Sequence, residues 1–447
     1  MKYTPHTAED IKKMLDTIGA VSVEDLFSDI PAGLRTKSFD LPEGAGESQT
    51  MDYFRKLADT YSDGLISFTG GGFYDHYIPS AVNALSSLPE FYTAYTPYQP
   101  EASQGTLQSL YEYQSAICRL TGMEASNASV YDGGTAIAEA VLMALKITRR
   151  RKIIIDSCVN PIYRHILQTY TEYLDCQIIE IEDAGLSMDR EKCKLLLDSD
   201  TAAVVFQNPN FFGTLDDYSD ITAMAHDNGS LAIASVYPVS LGSLKTPREM
   251  NADIAAGEAQ SLGNPLNFGG PYLGFMATRE KYIRHLPGRI AGETTDSDGR
   301  RAFVLTLQAR EQHIKRHRAT SNICTNQNMC ALRALIFLSC LGKTGFRELA
   351  LLNHDKAHYA SGLLSEIPGV YVCNPKGFFN EFTLELGTDS AKLYKSMLKK
   401  GFSAGLPLGN FYNNMHTKLL VCFTEKTDKD RIHSFVDTFM ETLSGTS

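Results

Sequence analysis

Apolar positions in the middle of the chain come in short blocks set between stretches of helical spacing. Lys152–Asp156, Gln177–Ile181, Ala202–Phe206 and Leu231–Val236 read as buried strands. Between them the 3.6-residue period predicts helices from Asn160 to about Leu174, from Asp189 to Leu197, and from Asp217 to Asn228, the last stopped by Gly229. Asn160-Pro161 supplies an N-cap and a proline at the first helical position. Short apolar strands separated by helices of this length predict an α/β fold with a mainly parallel, doubly wound sheet, whose ligands sit at the carboxyl ends of the strands.

The flanks differ. Near the start, Thr7 with Asp10 resembles a capping box, and Ile11, Met14, Leu15 and Ile18 share one helical face before Gly19 stops it. A second short helix starts at Ser22 with Asp25 and ends at Pro31. A further helix runs from Ser103 to Leu120 and is stopped by Gly122, and Asp132-Gly133-Gly134-Thr135 opens another reaching Leu145. Residues 288–307 read as a hairpin turning at Asp296–Gly299. After two helices covering 326–342 and 345–366, strands at Val370–Cys373, Glu381–Leu386 and Leu419–Phe423 alternate with helices to form a small α+β unit. The expected organisation is an N-terminal helical segment (1–62), a large α/β domain (63–345) and a small C-terminal α+β domain (346–447).

Composition narrows the class. The chain has 447 residues with 43% hydrophobic and 21% charged, ordinary for a globular protein and enough for one large and one small domain. A net charge of -10 argues against general nucleic-acid binding. Nine scattered cysteines without CxxC spacing read as reduced thiols of a cytoplasmic protein and point to no metal site. The polar N-terminus lacks a signal-peptide core, and no uncharged apolar run is long enough to span a membrane.

Candidate chemistry concentrates in Gly-rich loops. Asp253–Ala277 reads as two strands joined by a polar, glycine-rich turn, which brings backbone close to a ligand or to another chain. No lysine occurs from Thr246 to Glu280, so a pyridoxal-phosphate site here would lack its Schiff-base amine. Gly133, Gly134 and Thr135 offer free N–H groups at a helix start, an anion cradle or simply a tight packing point. The Gly70–Gly72 loop presents Tyr74 and His76, and a second loop carries Tyr95, Tyr98 and Gln104. Thr320–Asn326, with Asn322, packs small polar residues between helices, as a site-lining loop would.

Four segments carry a resemblance. Tyr95-Thr-Pro-Tyr-Gln-Pro-Glu-Ala-Ser-Gln-Gly105, Gly257-Glu-Ala-Gln-Ser-Leu-Gly-Asn-Pro265, Gly269-Gly-Pro-Tyr-Leu-Gly274 and Ala319-Thr-Ser-Asn-Ile-Cys-Thr-Asn-Gln327 closely resemble the glycine cleavage system P-protein, in particular the N-terminal (alpha) half of its two-subunit form. The likeness runs from the first helix to the tail. It implies a fold-type I pyridoxal-phosphate-dependent transferase-like fold. It also implies a complex that decarboxylates glycine with pyridoxal phosphate and passes the aminomethyl group to the lipoyl arm of H-protein. The Schiff-base lysine is implied to lie on subunit 2, in a two-plus-two heterotetramer. Matched to that lysine-bearing partner, the lysine position falls near Gln260, the carboxylate for the pyridinium nitrogen near Tyr237, and the ring-stacking position near Val159-Asn160. None of these residues can fill the role, so no catalytic residue and no cofactor bound by this chain are implied. Gly133, Gly134 and Thr135 become a relic cradle. Tyr74, His76, Tyr95, Tyr98, Gln104 and Asn322 become candidates for the shared site or interface.

Two alternatives stand beside this reading. An independent pyridoxal-phosphate enzyme would use Lys245 or Lys281, neither at the expected strand-to-loop position. A nucleotide-binding module would use Gly70–Gly72 or Gly133-Gly134, but neither forms a GxGxxG or GxxxxGK[ST] motif.

Overall fold

The computed structural model of the chain describes residues 6–36, 38, 40–62, 64–267 and 269–445. It separates into two units, Met1–Asp63 and Gly64–Ser447. In the first, the helix Ala8–Ile18 opens with the capping box read from the sequence: Asp10 N–H donates to Thr7 Oγ1 at 3.2 Å and Thr7 N–H to Asp10 Oδ2 at 2.9 Å. Gly19 ends it in the left-handed conformation. The second predicted helix is a 3-10 turn, Val23–Phe27, because Ser28–Pro31 leaves no room for further turns. A helix at Glu47–Ser62, not anticipated, completes the unit, and none of its described residues is buried.

The second unit is built on a seven-stranded sheet in the order Ala125–Ser126, Gly274–Thr278, Ile254–Glu258, Leu231–Val236, Thr201–Asn208, Lys152–Asp156, Gln177–Ile181. The last five run parallel, while Gly274–Thr278 is antiparallel to both neighbours. The strand pair Ile254–Glu258 and Gly274–Thr278 is the pair read from the Gly-rich stretch. Separate apolar clusters cover the two faces, one around Phe206, Phe275 and Phe337, the other around Ile153, Val141 and Ile233. The predicted hairpin is present as Ile290–Thr295 paired with Arg301–Thr306.

Toward the C-terminus a four-stranded antiparallel sheet in the order Tyr371–Val372, Glu381–Glu385, Lys418–Cys422, Leu406–Pro407 packs on the helices Ser390–Lys399 and Lys429–Gly445. Phe68, Phe382, Phe423 and Phe435 form its aromatic core. Two features cross the position of the expected 345/346 boundary. Ile66–Ser67 pairs in parallel with Phe402–Ser403, and one long helical element, Asn328–Ser365, runs through it with a non-helical residue at Gly342. By length and composition that helix could cross a membrane, but it buries Cys330, Ala334, Phe337, Ala350 and Ala357 inside the unit, as a core helix does.

Candidate functional site

The carboxyl ends of the parallel strands form a crevice, and the chain's own side chains fill it. At one end the helix Gly133–Thr148 starts from Asp132, whose Oδ1 accepts from Thr135 N–H at 2.8 Å. The next free donor, Gly133 N–H, points at the last residue of a strand, Glu258, and donates to its Oε2 at 2.9 Å. Glu258 Oε1 accepts from Gln260 N–H at 2.8 Å and Leu273 N–H at 2.9 Å. Glycine is required at 133, since a Cβ there would lie 2.7 Å from the Tyr163 hydroxyl and 2.8 Å from Glu258 Cβ. Burial pushes the Glu258 carboxyl up to about 7, while the amides of Leu273, Gly133 and Gln260 pull the other way.

Gln260 knits the next layer. Its carboxamide pairs with both backbone groups of Tyr74: Tyr74 N–H donates to Oε1 and Nε2 donates to Tyr74 C=O, each at 3.1 Å. Nε2 also donates to Asn264 C=O at 2.8 Å. Only an amide offers an acceptor and two donors here. The loop that Gln260 holds threads between Asn160 and Glu381. Asn160 Nδ2 donates to Gly71 C=O at 2.9 Å, Gly71 N–H donates to Glu381 Oε2 at 2.9 Å, and the Tyr74 hydroxyl donates to Glu381 Oε1 at 2.5 Å. Gly71 is left-handed, with φ +78°, and a Cβ on Gly70 would lie 2.4 Å from Glu381 Oε2, so the glycines let the backbone enter. Glu381, also fully enclosed, is pushed up to about 7 by burial, against the hydrogen bonds from Tyr74 and Gly71.

A second buried group lies against the same loop. His76 Nε2 meets the Tyr237 hydroxyl, and His76 Nδ1 lies 2.7 Å from Glu425 Oε2. Tyr77 N–H and Asn353 Nδ2 donate to the same carboxylate at 2.6 and 3.0 Å. Burial alone would raise Glu425, but the hydrogen bond and charge of His76 with the Tyr77 amide hold it down at about 2. Tyr237, where the pyridinium carboxylate was sought, packs against Tyr74 with ring centroids 4.2 Å apart and the rings tilted by 42°. Asn160, near the sought stacking position, caps its helix by accepting from Ile162 N–H at 2.9 Å.

The sequence candidates therefore divide. Gly133, Thr135, Tyr74, His76 and Gln260 come together in the crevice, with Gly134 beside them. Tyr74 and His76, read as candidates for the shared site or interface, are buried within the chain, where Glu381 and Glu425 take their polar atoms. Tyr95 is 85% exposed and Asn322 is exposed. Tyr98 is half exposed, with Arg289 donating to its hydroxyl at 2.8 Å. Gln104 ties its loop to the hairpin through Phe303, donating at 2.8 Å and accepting at 2.9 Å. Lys245 pairs with Asp217 at 2.5 Å, and Lys281 lies 4.0 Å from Asp253, both away from the crevice. Glu258, Glu381 and Glu425, which organise the crevice, were not singled out from the sequence. The one available signal was a carboxylate closing an apolar strand at Glu258 and opening one at Glu381.

Pyridoxal phosphate does not fit the residues present. The helix N-terminal donor that would meet its phosphate already bonds the Glu258 carboxyl group, whose side chain occupies the place of the anion. Position 260 carries no amine, and the Gly70–Tyr74 backbone fills the space between Asn160, Gln260 and Glu381. Among the described residues no group of three or more His, Cys, Asp and Glu could hold a metal ion.

The family model for the glycine cleavage system P-protein matches residues 1–439. A probable glycine dehydrogenase (decarboxylating) subunit 1 of Geotalea uraniireducens (strain Rf4) is 58% identical, covering 97% of this chain and 98% of its own length. The crystal structure of a glycine decarboxylase (P-protein) of the glycine cleavage system, in inhibitor-bound form, superposes with a TM-score of 0.92 at 42% identity, over 99% of this chain and 100% of that one. The sphingosine-1-phosphate lyase of Burkholderia pseudomallei K96243 shares the fold alone, with a TM-score of 0.69 at 14% identity over 92% and 94%.

Proposed function

We propose a role that starts from one premise: the chain belongs to the glycine cleavage system P-protein family. It is a subunit of glycine dehydrogenase (decarboxylating), an oxidoreductase component of the glycine cleavage system. Within that enzyme this chain is the half without the lysine. Pyridoxal phosphate is held by the lysine-bearing subunit 2, and the complex, two copies of each, decarboxylates glycine and hands the aminomethyl group to lipoylated H-protein. The observation that carries this reading is the crevice at Gln260, filled by the Glu258 carboxylate and the Gly70–Tyr74 loop. Tyr95, Tyr98 and Asn322, on exposed or half-exposed loops, and Gln104, at the start of the helix Gln104–Thr121, are the residues we assign to the shared interface, while Gly133, Gly134 and Thr135 keep the cradle shape without the ligand. Nine free thiols support a cytoplasmic setting.

The test is co-expression with the lysine-bearing homologue, followed by glycine–bicarbonate exchange with and without this chain. Exchange that needs both chains, with borohydride fixing the cofactor only to the homologue, supports the reading. Undiminished exchange by the homologue alone, or a borohydride-labelled lysine such as Lys245 or Lys281 in this chain, overturns it.

A further inference from the structure

The crevice is filled, yet the second unit keeps a large cavity elsewhere. It has a volume of about 880 Å³ and lies between the helix Gln104–Thr121, the 3-10 turn Pro238–Gly242 and the Leu335–Arg347 stretch of the long helical element. Small-molecule sites usually measure about 300–1,000 Å³. None of the residues that fill the crevice lines this cavity. Ala116, Leu120, Leu241, Leu335 and Leu338, all half-buried, form its floor together with the buried Phe346.

The rim is cationic. Arg119, Arg301, Lys343 and Arg347 stand around the floor against one carboxylate, Glu112. Arg301 already pairs with Glu293 at 2.8 Å. Arg119, Lys343 and Arg347 are exposed and, among the described residues, have no ion-pair partner. Two of these three also work against the local fold. Gly342, with φ +60° and ψ -172°, breaks the helical element, so Lys343 opens the run that follows and Arg347 sits one turn on. The start of a helix favours anions over cations, and like charges four residues apart repel. An anion in the cavity would offset both costs, and the chain itself supplies none.

We propose that this cavity binds an amphipathic anion: an acyl or alkyl chain on the apolar floor, with a carboxylate or phosphate head held by Arg119, Lys343 and Arg347. The proposal goes beyond the function stated above and does not depend on it. Charge complementarity selects this class over a neutral lipid, whose head would leave three cations unpaired. The floor selects it over an inorganic anion, which would leave five half-exposed apolar side chains in water. The cations come from two elements, the helix Gln104–Thr121 and the run after Gly342, so a bound head ties them together.

Titrating the full chain with octyl phosphate, octanoate and octanol, each below self-association, puts this to the test. One or both anions should bind saturably and raise the unfolding midpoint, with octanol at least about fivefold weaker. The anion that binds more tightly identifies the head as phosphate or carboxylate. Two variants locate the site. Arg119→Gln with Lys343→Gln removes charge from exposed side chains, and Ala116→Phe fills the floor without touching charge. Each should weaken binding by about fivefold or more. They act on different parts of the cavity, so a folding failure in one leaves the other decisive. Affinity that stays within about fivefold in a folded variant overturns the proposal, as does octanol binding within about fivefold of the anions, or no saturable binding of either anion. Displacement of the bound anion by an equimolar amount of the lysine-bearing homologue also overturns it, because the cavity would then be a contact between chains.

Discussion

The crevice and the N-terminal unit treat their side chains in opposite ways. In the crevice, groups that a ligand would normally meet have found partners inside the chain: Gly133 N–H on Glu258, Tyr74 on Gln260 and Glu381, His76 on Glu425. In the N-terminal unit, apolar faces that a folded core would normally cover are exposed. Buried polar groups without partners cost free energy, and so do exposed apolar surfaces; the bonds just named avoid the first cost at the centre of the crevice, while the second remains in the N-terminal unit. The difference teaches where the remaining function lies. On the function proposed above, the crevice serves as structure and the surface is kept for a neighbouring chain.

The comparison breaks most directly at Glu425. Replacing it with alanine removes the shared partner of His76, Tyr77 N–H and Asn353 Nδ2 and leaves His76 and Asn353, both buried, facing a void. The loss of stability in urea unfolding should be about 2–4 kcal/mol, from buried donors left without their acceptor. A loss below about 1 kcal/mol would show that the crevice is looser than its hydrogen bonds imply.

Gln260→Lys asks whether the crevice is silent only for want of an amine. The substitution removes the acceptor for Tyr74 N–H and places an ammonium among groups that are already paired, so stability should fall by about 2–4 kcal/mol. No borohydride-stable adduct with pyridoxal phosphate should form, because Glu258 still occupies the cradle and the Gly70–Tyr74 loop still fills the crevice. An adduct would show that the loop swings out and that the two regions differ less than they look.

How much of this was legible beforehand follows from the physics of each feature. The parallel sheet, the hairpin and the Thr7 capping box were readable because period and cap chemistry are local. Gln260 as a residue without an amine was readable from identity alone. Glu258 was not readable as the occupant of the cradle, since its partners Gly133 and Leu273 lie 125 and 15 residues away in sequence. The inward turn of Tyr74 was hidden in the same way, because Glu381 lies 307 residues on, across the unit. Exposure of the N-terminal faces could not be read either, since an amphipathic period looks the same whether its apolar side is covered or open.

Glu258→Gln sharpens the crevice side through pH. An amide presents its NH₂ to one of the three N–H groups that the carboxylate now accepts from, so the variant should be weaker by about 1–3 kcal/mol at pH 5. Burial raises this carboxyl from 4.5 to about 7, so the folded chain binds its proton more tightly than the unfolded chain. Its contribution is therefore full below about pH 4.5 and is lost as the pH rises through 7. The gap between unmodified chain and variant should narrow from pH 5 to 7.5, and Glu381, which titrates in the same range, cancels in the difference. Glu425, held at about 2, acts in a separate window: its stabilisation is present above about pH 4.5 and is lost below it. A gap that widens with pH would mean that Glu258 is held ionised and acts as a true anion in the cradle.

The smallest effect belongs to the outward side. Tyr95 is 85% exposed, and removing an exposed side chain deletes little packing and no core volume. Tyr95→Ala should leave the stability of the isolated chain within about 0.5 kcal/mol. Assembly is where it should register, since an aromatic ring standing open on a loop is a typical anchor for a neighbouring chain, and loss of an anchor costs about tenfold or more in affinity. Titrating the variant against the lysine-bearing homologue separates the two readouts. Weaker binding at unchanged stability marks Tyr95 as surface kept for another molecule. Unchanged binding would leave it as an ordinary exposed tyrosine.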